Sequence, residues 1–122
     1  MKQVLLIEDD PWLAESYRRV MTKKELEVQV VSGAEEAMKL LEKGHYDVIV
    51  ADIMLEGHTV VALLHELQSY DDTAKIPVIL CSSLVSDAVS LQKFREYGVK
   101  RVLDKATLMP EQLVAVVSEV VA

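Results

Sequence analysis

The chain has 122 residues, 51 % of them hydrophobic and 27 % charged, near the averages for soluble globular proteins; this excludes a disordered, collagen-like or disulfide-built chain. One ordinary domain spanning residues 1–122 is expected, without room for a separate effector domain. Lys plus Arg total 13 against 20 Asp plus Glu, a formal charge of -7 that opposes contact with nucleic-acid phosphates or anionic lipid, so neither nucleic acid nor membrane is an expected partner.

Val4-Leu5-Leu6-Ile7 is a short continuous apolar run of the kind buried on both faces of a parallel sheet. Asp10 before Pro11 reads as an N-cap with Pro at the first helical position, and Leu13, Tyr17, Val20 and Met21 carry helical spacing behind it. A second run covers residues 28–31. Ser32 with Glu35 predicts a capping box for a second helix through Ala37, Met38 and Leu41, with Gly44 as its C′ residue. Val48-Ile49-Val50-Ala51 forms a third run, and Val60, Leu63, Leu64 and Leu67 mark a third helix. Val78-Ile79-Leu80-Cys81 is a fourth run; Val85 or Ala88 with Leu91 and Phe94 marks a fourth helix that stops before Gly98. Arg101-Val102-Leu103 is a weaker fifth run, and Pro110 opens a fifth helix bearing Leu113, Val117 and Val120.

Strand and helix thus alternate throughout, with short links and neither repeats nor low-complexity stretches. Right-handed crossovers then give a doubly wound three-layer α/β sandwich, (βα)5, with a parallel sheet. Cys81 is the one cysteine, so no intrachain disulfide is expected. The four apolar residues near the N-terminus fall short of a secretory signal, and no stretch approaches a spanning helix. A cytoplasmic setting follows.

Ligands of open parallel sheets sit at the carboxyl ends of the strands, beside the switch point. Glu8 and Asp9 follow the first run, Asp52 the third and Ser82-Ser83 the fourth, while Asp104-Lys105 closes the fifth. Three carboxylates held together repel one another unless a cation neutralises them, and hard oxygen donors with open positions suit Mg²⁺. His45, His58 and His65 lack the pairing of metal ligands. Asp is also a common cap at strand ends. The ordered set favours a site for Asp9 and Asp52, whereas Asp10 is read as a cap.

In this order and spacing, Glu8-Asp9, Asp52, Ser82 and Lys105 make the chain resemble a receiver domain of two-component response regulators over its whole length. The resemblance implies a flavodoxin-like sheet of order 2-1-3-4-5. It implies Asp52 as phosphoacceptor, and Mg²⁺ held by Glu8, Asp9, Asp52 and the Met54 backbone carbonyl. Lys105 and Ser82 would contact the phosphoryl oxygens. The implied partners are a sensor histidine kinase or phosphotransfer protein, and a downstream protein or effector domain. A homodimer through the fourth helix, fifth strand and fifth helix is a further implied possibility. Such a domain catalyses only its own modification and is not a turnover enzyme.

The sequence departs from the family pattern in three places. Glu56 and Gly57 alter the loop after Asp52; Ala106 stands where a cis proline usually follows the lysine, so a trans bond is expected; and Val102 replaces the aromatic of the family's output switch. Reduced or rerouted coupling on the face of the fourth helix, fifth strand and fifth helix is expected. A pseudo-receiver, binding partners constitutively without phosphorylation, is the second reading. A flavin or nucleotide binder ranks far behind, because no Gly-rich phosphate loop follows the first strand. Val114, Val116, Val117, Val120 and Val121 form a wide apolar stripe, read equally as an interface or as scattered valines. Trp12 either borders the pocket or covers surface.

Overall fold

The computed structural model describes residues 1–55, 58–82 and 94–122. The apolar runs become the strands β1 (Gln3–Ile7), β2 (Glu27–Val31), β3 (Val48–Asp52), β4 (Val78–Ser82) and β5 (Val99–Asp104). The helices are α1 (Pro11–Lys23), α2 (Ala34–Lys43), α3 (Val61–Gln68) and α4 (Pro110–Val121), the last being the fifth one expected from the sequence. The five strands form one sheet in the order β2-β1-β3-β4-β5, every neighbouring pair parallel. This is the flavodoxin-like order. The fourth predicted helix, with Val85, Ala88 and Leu91, lies outside the described residues, as do Ser83, Glu56 and Gly57.

Side chains alternate across the sheet with period two and divide the core into two layers. Val4, Leu6, Val48, Val50, Ile79 and Cys81 meet Ala14, Tyr17 and Met21 of α1 and Leu113, Val114 and Val117 of α4. Leu5, Ile7, Ile49, Ala51 and Leu80 meet Ala37, Met38 and Leu41 of α2 and Leu63, Leu64 and Leu67 of α3. Cys81 is a buried free thiol in this core. Its burial raises the thiol pKa to about 12, so at neutral pH it packs as a small apolar group.

Several local expectations change. The run at residues 28–31 is not buried on both faces: β2 is an edge strand, with Val30 exposed and only Val31 buried. The expected capping box at Ser32 and Glu35 is absent, because α2 starts at Ala34 and puts Gly33 at the N-cap. That shift leaves the Ser32 hydroxyl to donate to Glu36 Oε1 at 2.8 Å instead. Gly44 is the C-cap in extended conformation rather than a left-handed C′ residue. The wide valine stripe of α4 is used inside the fold, since α4 packs on both the sheet and α1, and Val116, Val120 and Val121 lie partly buried against that core. A short hairpin, Met54–Leu55 with His58–Thr59, and a one-turn helix, Asp71–Ala74, complete the described elements.

Two turns aim the strands. Leaving α1, Glu25 adopts φ 63, the Leu26 N–H reaches Met21 O at 3.1 Å and the Glu25 N–H reaches Thr22 O at 3.1 Å. This Schellman closure carries the chain into β2 and buries Leu26 beside Met21. Before β5, Gly98 has φ 83, a conformation that a side chain would strain. Gln68 fixes that turn through Tyr97 O at 3.1 Å, and Gly98 O accepts from the Val78 N–H at 3.1 Å.

Candidate functional site

Every residue of the expected site lies at the carboxyl end of the sheet. Glu8 extends β1, its N–H bonded to Val31 O of the neighbouring strand at 2.9 Å. Asp10 then turns the chain into α1, its Oδ1 accepting from the Trp12 N–H at 3.0 Å and the Leu13 N–H at 3.3 Å. Asp10 is therefore the N-cap, and the pocket is left to its neighbours. Glu8, Asp9 and Asp52 each offer a carboxylate oxygen within 4.8 Å of the others. Glu8 is buried, Asp52 partly buried and Asp9 exposed, so the cluster opens to solvent on the Asp9 side.

Lys105 is the cation of this cluster. Its Nζ stands 2.6 Å from Asp52 Oδ2 and 2.7 Å from Glu8 Oε1, with the side chains of all three residues no more than 15 % exposed. Its backbone is aimed by β5: the Lys105 N–H donates to Ser82 O at 3.0 Å, extending the β4–β5 ladder by one residue. Asp104 then closes a turn, Oδ1 accepting from the Ala106 N–H at 2.9 Å and the backbone oxygen from the Thr107 N–H at 3.2 Å. The Lys105–Ala106 peptide is trans, as expected of a non-proline bond. Asp104 thus holds the lysine's backbone where the family pattern has a proline. Its Asx turn is the signal that the sequence offered at Asp104.

The electrostatics follow from burial and pairing. Burial raises the Glu8 pKa above the usual carboxylate value, opposed by the hydrogen bonds from Lys105 and from the Asp10 N–H, the latter at 3.2 Å. Burial works against the charged form of Lys105, but the hydrogen bonds to Asp52 and Glu8 outweigh it and raise its pKa. The ammonium is retained. Ser82 is buried, 1 % exposed, at the end of β4 one strand away from Asp52. The trio offers only hard oxygen donors and partly open geometry, a set that fits a small divalent cation such as Mg²⁺.

Other candidates find ordinary roles. His45 is exposed against Asp47 at 3.1 Å, and His65 stacks edge-on to Tyr97, whose hydroxyl lies 2.9 Å from His65 Nε2. Lys100 is exposed. Trp12 is 87 % exposed in the first turn of α1, so it covers no core. Val102 lies half-buried against the α2–α3 layer, filling with a small side chain the position that the family pattern gives to an aromatic. No helix among the described residues is long and apolar enough to cross a membrane.

Fold and site together define a flavodoxin-like α/β domain with a carboxylate and lysine pocket at its switch point. The family model of the response regulator receiver domain matches residues 4–118, and the chain belongs to that family. Among curated relatives, the regulatory protein VanRB of Enterococcus faecalis is 27 % identical over 92 residues, covering 75 % of this chain and 40 % of that protein. The heme response regulator HssR of Staphylococcus aureus is 32 % identical over 90 residues, covering 74 % of this chain and 38 % of that protein. The chain therefore spans well under half the length of these two regulators. The receiver domain of the Francisella response regulator 1452 superposes with a TM-score of 0.87 at 25 % identity, covering 99 % of this chain and 97 % of that one. The chemotaxis response regulator CheY4 of Vibrio cholerae shares the fold, with a TM-score of 0.88 at 20 % identity and 98 % of each chain covered.

Proposed function

We propose that residues 1–122 form a single receiver unit that takes a phosphoryl group on Asp52. Its donor is a sensor histidine kinase or phosphotransfer protein in the cytoplasm, and the modified domain changes its affinity for a downstream protein or effector domain. The observation that carries this reading is the Lys105 ammonium shared between Asp52 and Glu8 beside Asp9. Such a domain modifies itself and turns over no external substrate.

Glu8, Asp9, Asp52 and the Met54 carbonyl would hold Mg²⁺, which when bound supplies positive charge to the phosphoryl oxygens. The Asp52 carboxylate attacks phosphorus; the phosphorus–nitrogen bond of a phosphohistidine breaks, and its electron pair returns to the ring nitrogen as an acyl phosphate forms. Lys105 moves from the Asp52 carboxylate to a phosphoryl oxygen, conserving its charge pairing. The Ser82 hydroxyl donates to another oxygen. With Val102 in place of an aromatic, output leaves weakly or by another route from the face of β5 and α4.

Intact mass after incubation with acetyl phosphate tests the reading. One phosphoryl group, gained only with Mg²⁺ and lost in Asp52→Ala, supports it. A folded protein that gains none from acetyl phosphate or from a phosphorylated kinase domain contradicts it. The second reading, a pseudo-receiver, has its support in the replacements at Glu56, Val102 and Ala106. Self-association through the fourth predicted helix, β5 and α4 is read out by sedimentation with and without a phosphoryl mimic.

A further inference from the structure

At the end of the sheet remote from Asp52, the chain entering β4, the start of β5 and the last turns of α4 enclose an open groove of about 420 Å³ lined by Lys75, Pro77, Lys100, Arg101, Glu119 and Val120. Three of these residues are cationic and one is acidic, in a chain whose 20 acids outnumber its 13 Lys and Arg. The concentration has a backbone cause. In the β4–β5 ladder Val78 pairs with Val99 but Ile79 pairs with Arg101, so Lys100 is an extra residue, a β-bulge. The bulge breaks the strand's alternation, and Lys100 and Arg101 line the same groove instead of opposite faces.

These cations have little to hold them. Arg101 Nη1 stands 3.8 Å from Glu119 Oε2, a loose contact between side chains that are 45 % and 73 % exposed. Among the described residues, neither Lys75 nor Lys100 has an ion-pair partner, whereas Arg18 grips Glu15 at 2.6 Å and Lys105 is shared by two carboxylates. Pro77 and Val120 add apolar surface to the lining of the groove.

We propose that this groove is a docking site for an acidic polypeptide segment, with an apolar side chain seated on Pro77 and Val120 and flanking carboxylates paired to Lys75, Lys100 and Arg101. Charge complementarity selects this occupant: three cations around one carboxylate favour an acidic chain locally, although the protein as a whole carries -7. The bulge interrupts the regular ladder of this edge strand, so recognition runs through side chains rather than strand addition. A bare inorganic anion would use the cations and leave the apolar surface empty. The proposal does not depend on phosphorylation of Asp52.

The probe is a fluorescein-labelled peptide, Glu-Leu-Asp-Asp-Leu-Glu, followed by anisotropy on the whole chain, with its Gln and Asn counterpart as control. The acidic peptide binds, the neutral one does not, and raising NaCl from about 50 to about 300 mM weakens binding. Lys100→Glu with Arg101→Glu lowers affinity by about tenfold or more, and the exposed Lys75→Glu lowers it without touching a strand. Glu119→Lys, a gain-of-function change independent of any folding defect, tightens binding. Amide shifts on titration fall at residues 75–78 and 99–101. Equal affinity across these variants, shifts confined to other surfaces, or a response to inorganic phosphate equal to that of the peptide would overturn the proposal.

Discussion

Lys105 donates to Asp52 at 2.6 Å although 53 residues separate them in the chain, and the same ammonium lies 2.7 Å from Glu8. The parallel sheet with order β2-β1-β3-β4-β5 brings these three strand ends together, and the central strand β3 places Asp52 between the other two. The lysine offsets a repulsion that the acidic trio creates for itself.

Removing that lysine therefore exposes the cost of the cluster. Lys105→Met is expected to lower stability by about 3 kcal/mol, because the Glu8 side chain, 3 % exposed, is left with an unpaired buried charge. Asp52→Asn in the same background restores part of the loss by relieving repulsion. Urea unfolding of the two single variants and the double variant measures the coupling; additive changes would contradict it.

Divalent cation binding is expected to stabilise the fold through the same trio. At ten times its Kd, Mg²⁺ adds about 1.4 kcal/mol by mass action, and Asp9→Ala abolishes the gain. Trp12, exposed three residues beyond Asp9, gives a fluorescence readout. Thermal melts that ignore MgCl₂ in the parent would refute the assignment of the trio as a cation site.

The α1 cap separates structure from chemistry. Asp10→Ala removes the acceptor of the Trp12 and Leu13 N–H groups and is expected to cost about 1 kcal/mol of stability while leaving Mg²⁺ affinity within a factor of about two. A large loss of Mg²⁺ binding would return Asp10 to the ligand set.

Glu25 is a side-chain residue where glycine fits better. At φ 63 in the Schellman turn, Glu25→Gly removes the strain on Cβ and is expected to raise stability by about 1 kcal/mol, seen as a higher urea midpoint with unchanged m-value.

Acid sensitivity has a local source at Asp47. The hydrogen bond from the Gln3 N–H, 2.7 Å long, lowers its pKa below the ordinary 3.8, with His45 adding to the effect. A carboxyl with a depressed folded-state pKa contributes stability in full above its unfolded value and loses it as pH falls through the folded one. Asp47→Asn is thus expected to cost about 1 kcal/mol at neutral pH, and the difference from the parent shrinks as pH falls through the depressed folded-state value of Asp47. A pH-independent difference would contradict this source.

The strand ends are legible because short β-branched apolar runs separated by helical spacing fit the strands of a parallel sheet, and the residues that follow them gather at its carboxyl edge. That logic places Glu8, Asp9, Asp52, Ser82 and Lys105 at one edge from the sequence alone. It failed where the outcome depends on neighbours. The valine-rich run at residues 28–31 looks like the central strands, and only the order of strands makes β2 an edge. Ser32 has the spacing of a capping box, yet a helix start one residue later turns its hydroxyl to Glu36. The α4 valines look surplus until α1 is seen beside them. The support of Lys105 by Asp104 has the residue type of an Asx turn as its signal, whereas the bulge that turns Lys100 into the groove has no local signature.

The most direct test of the central claim is to treat the acetyl-phosphate-reacted, Mg²⁺-loaded protein with borohydride, which reduces an acyl phosphate to an alcohol, and to map the peptides by mass spectrometry. The account predicts homoserine at position 52 and at no other carboxylate, dependent on Mg²⁺ and diminished in Lys105→Met. Unmodified Asp52 with reduction at Asp9 or Glu8, or a folded protein with no reduced site after exposure to a phosphorylated kinase domain as well, would contradict it.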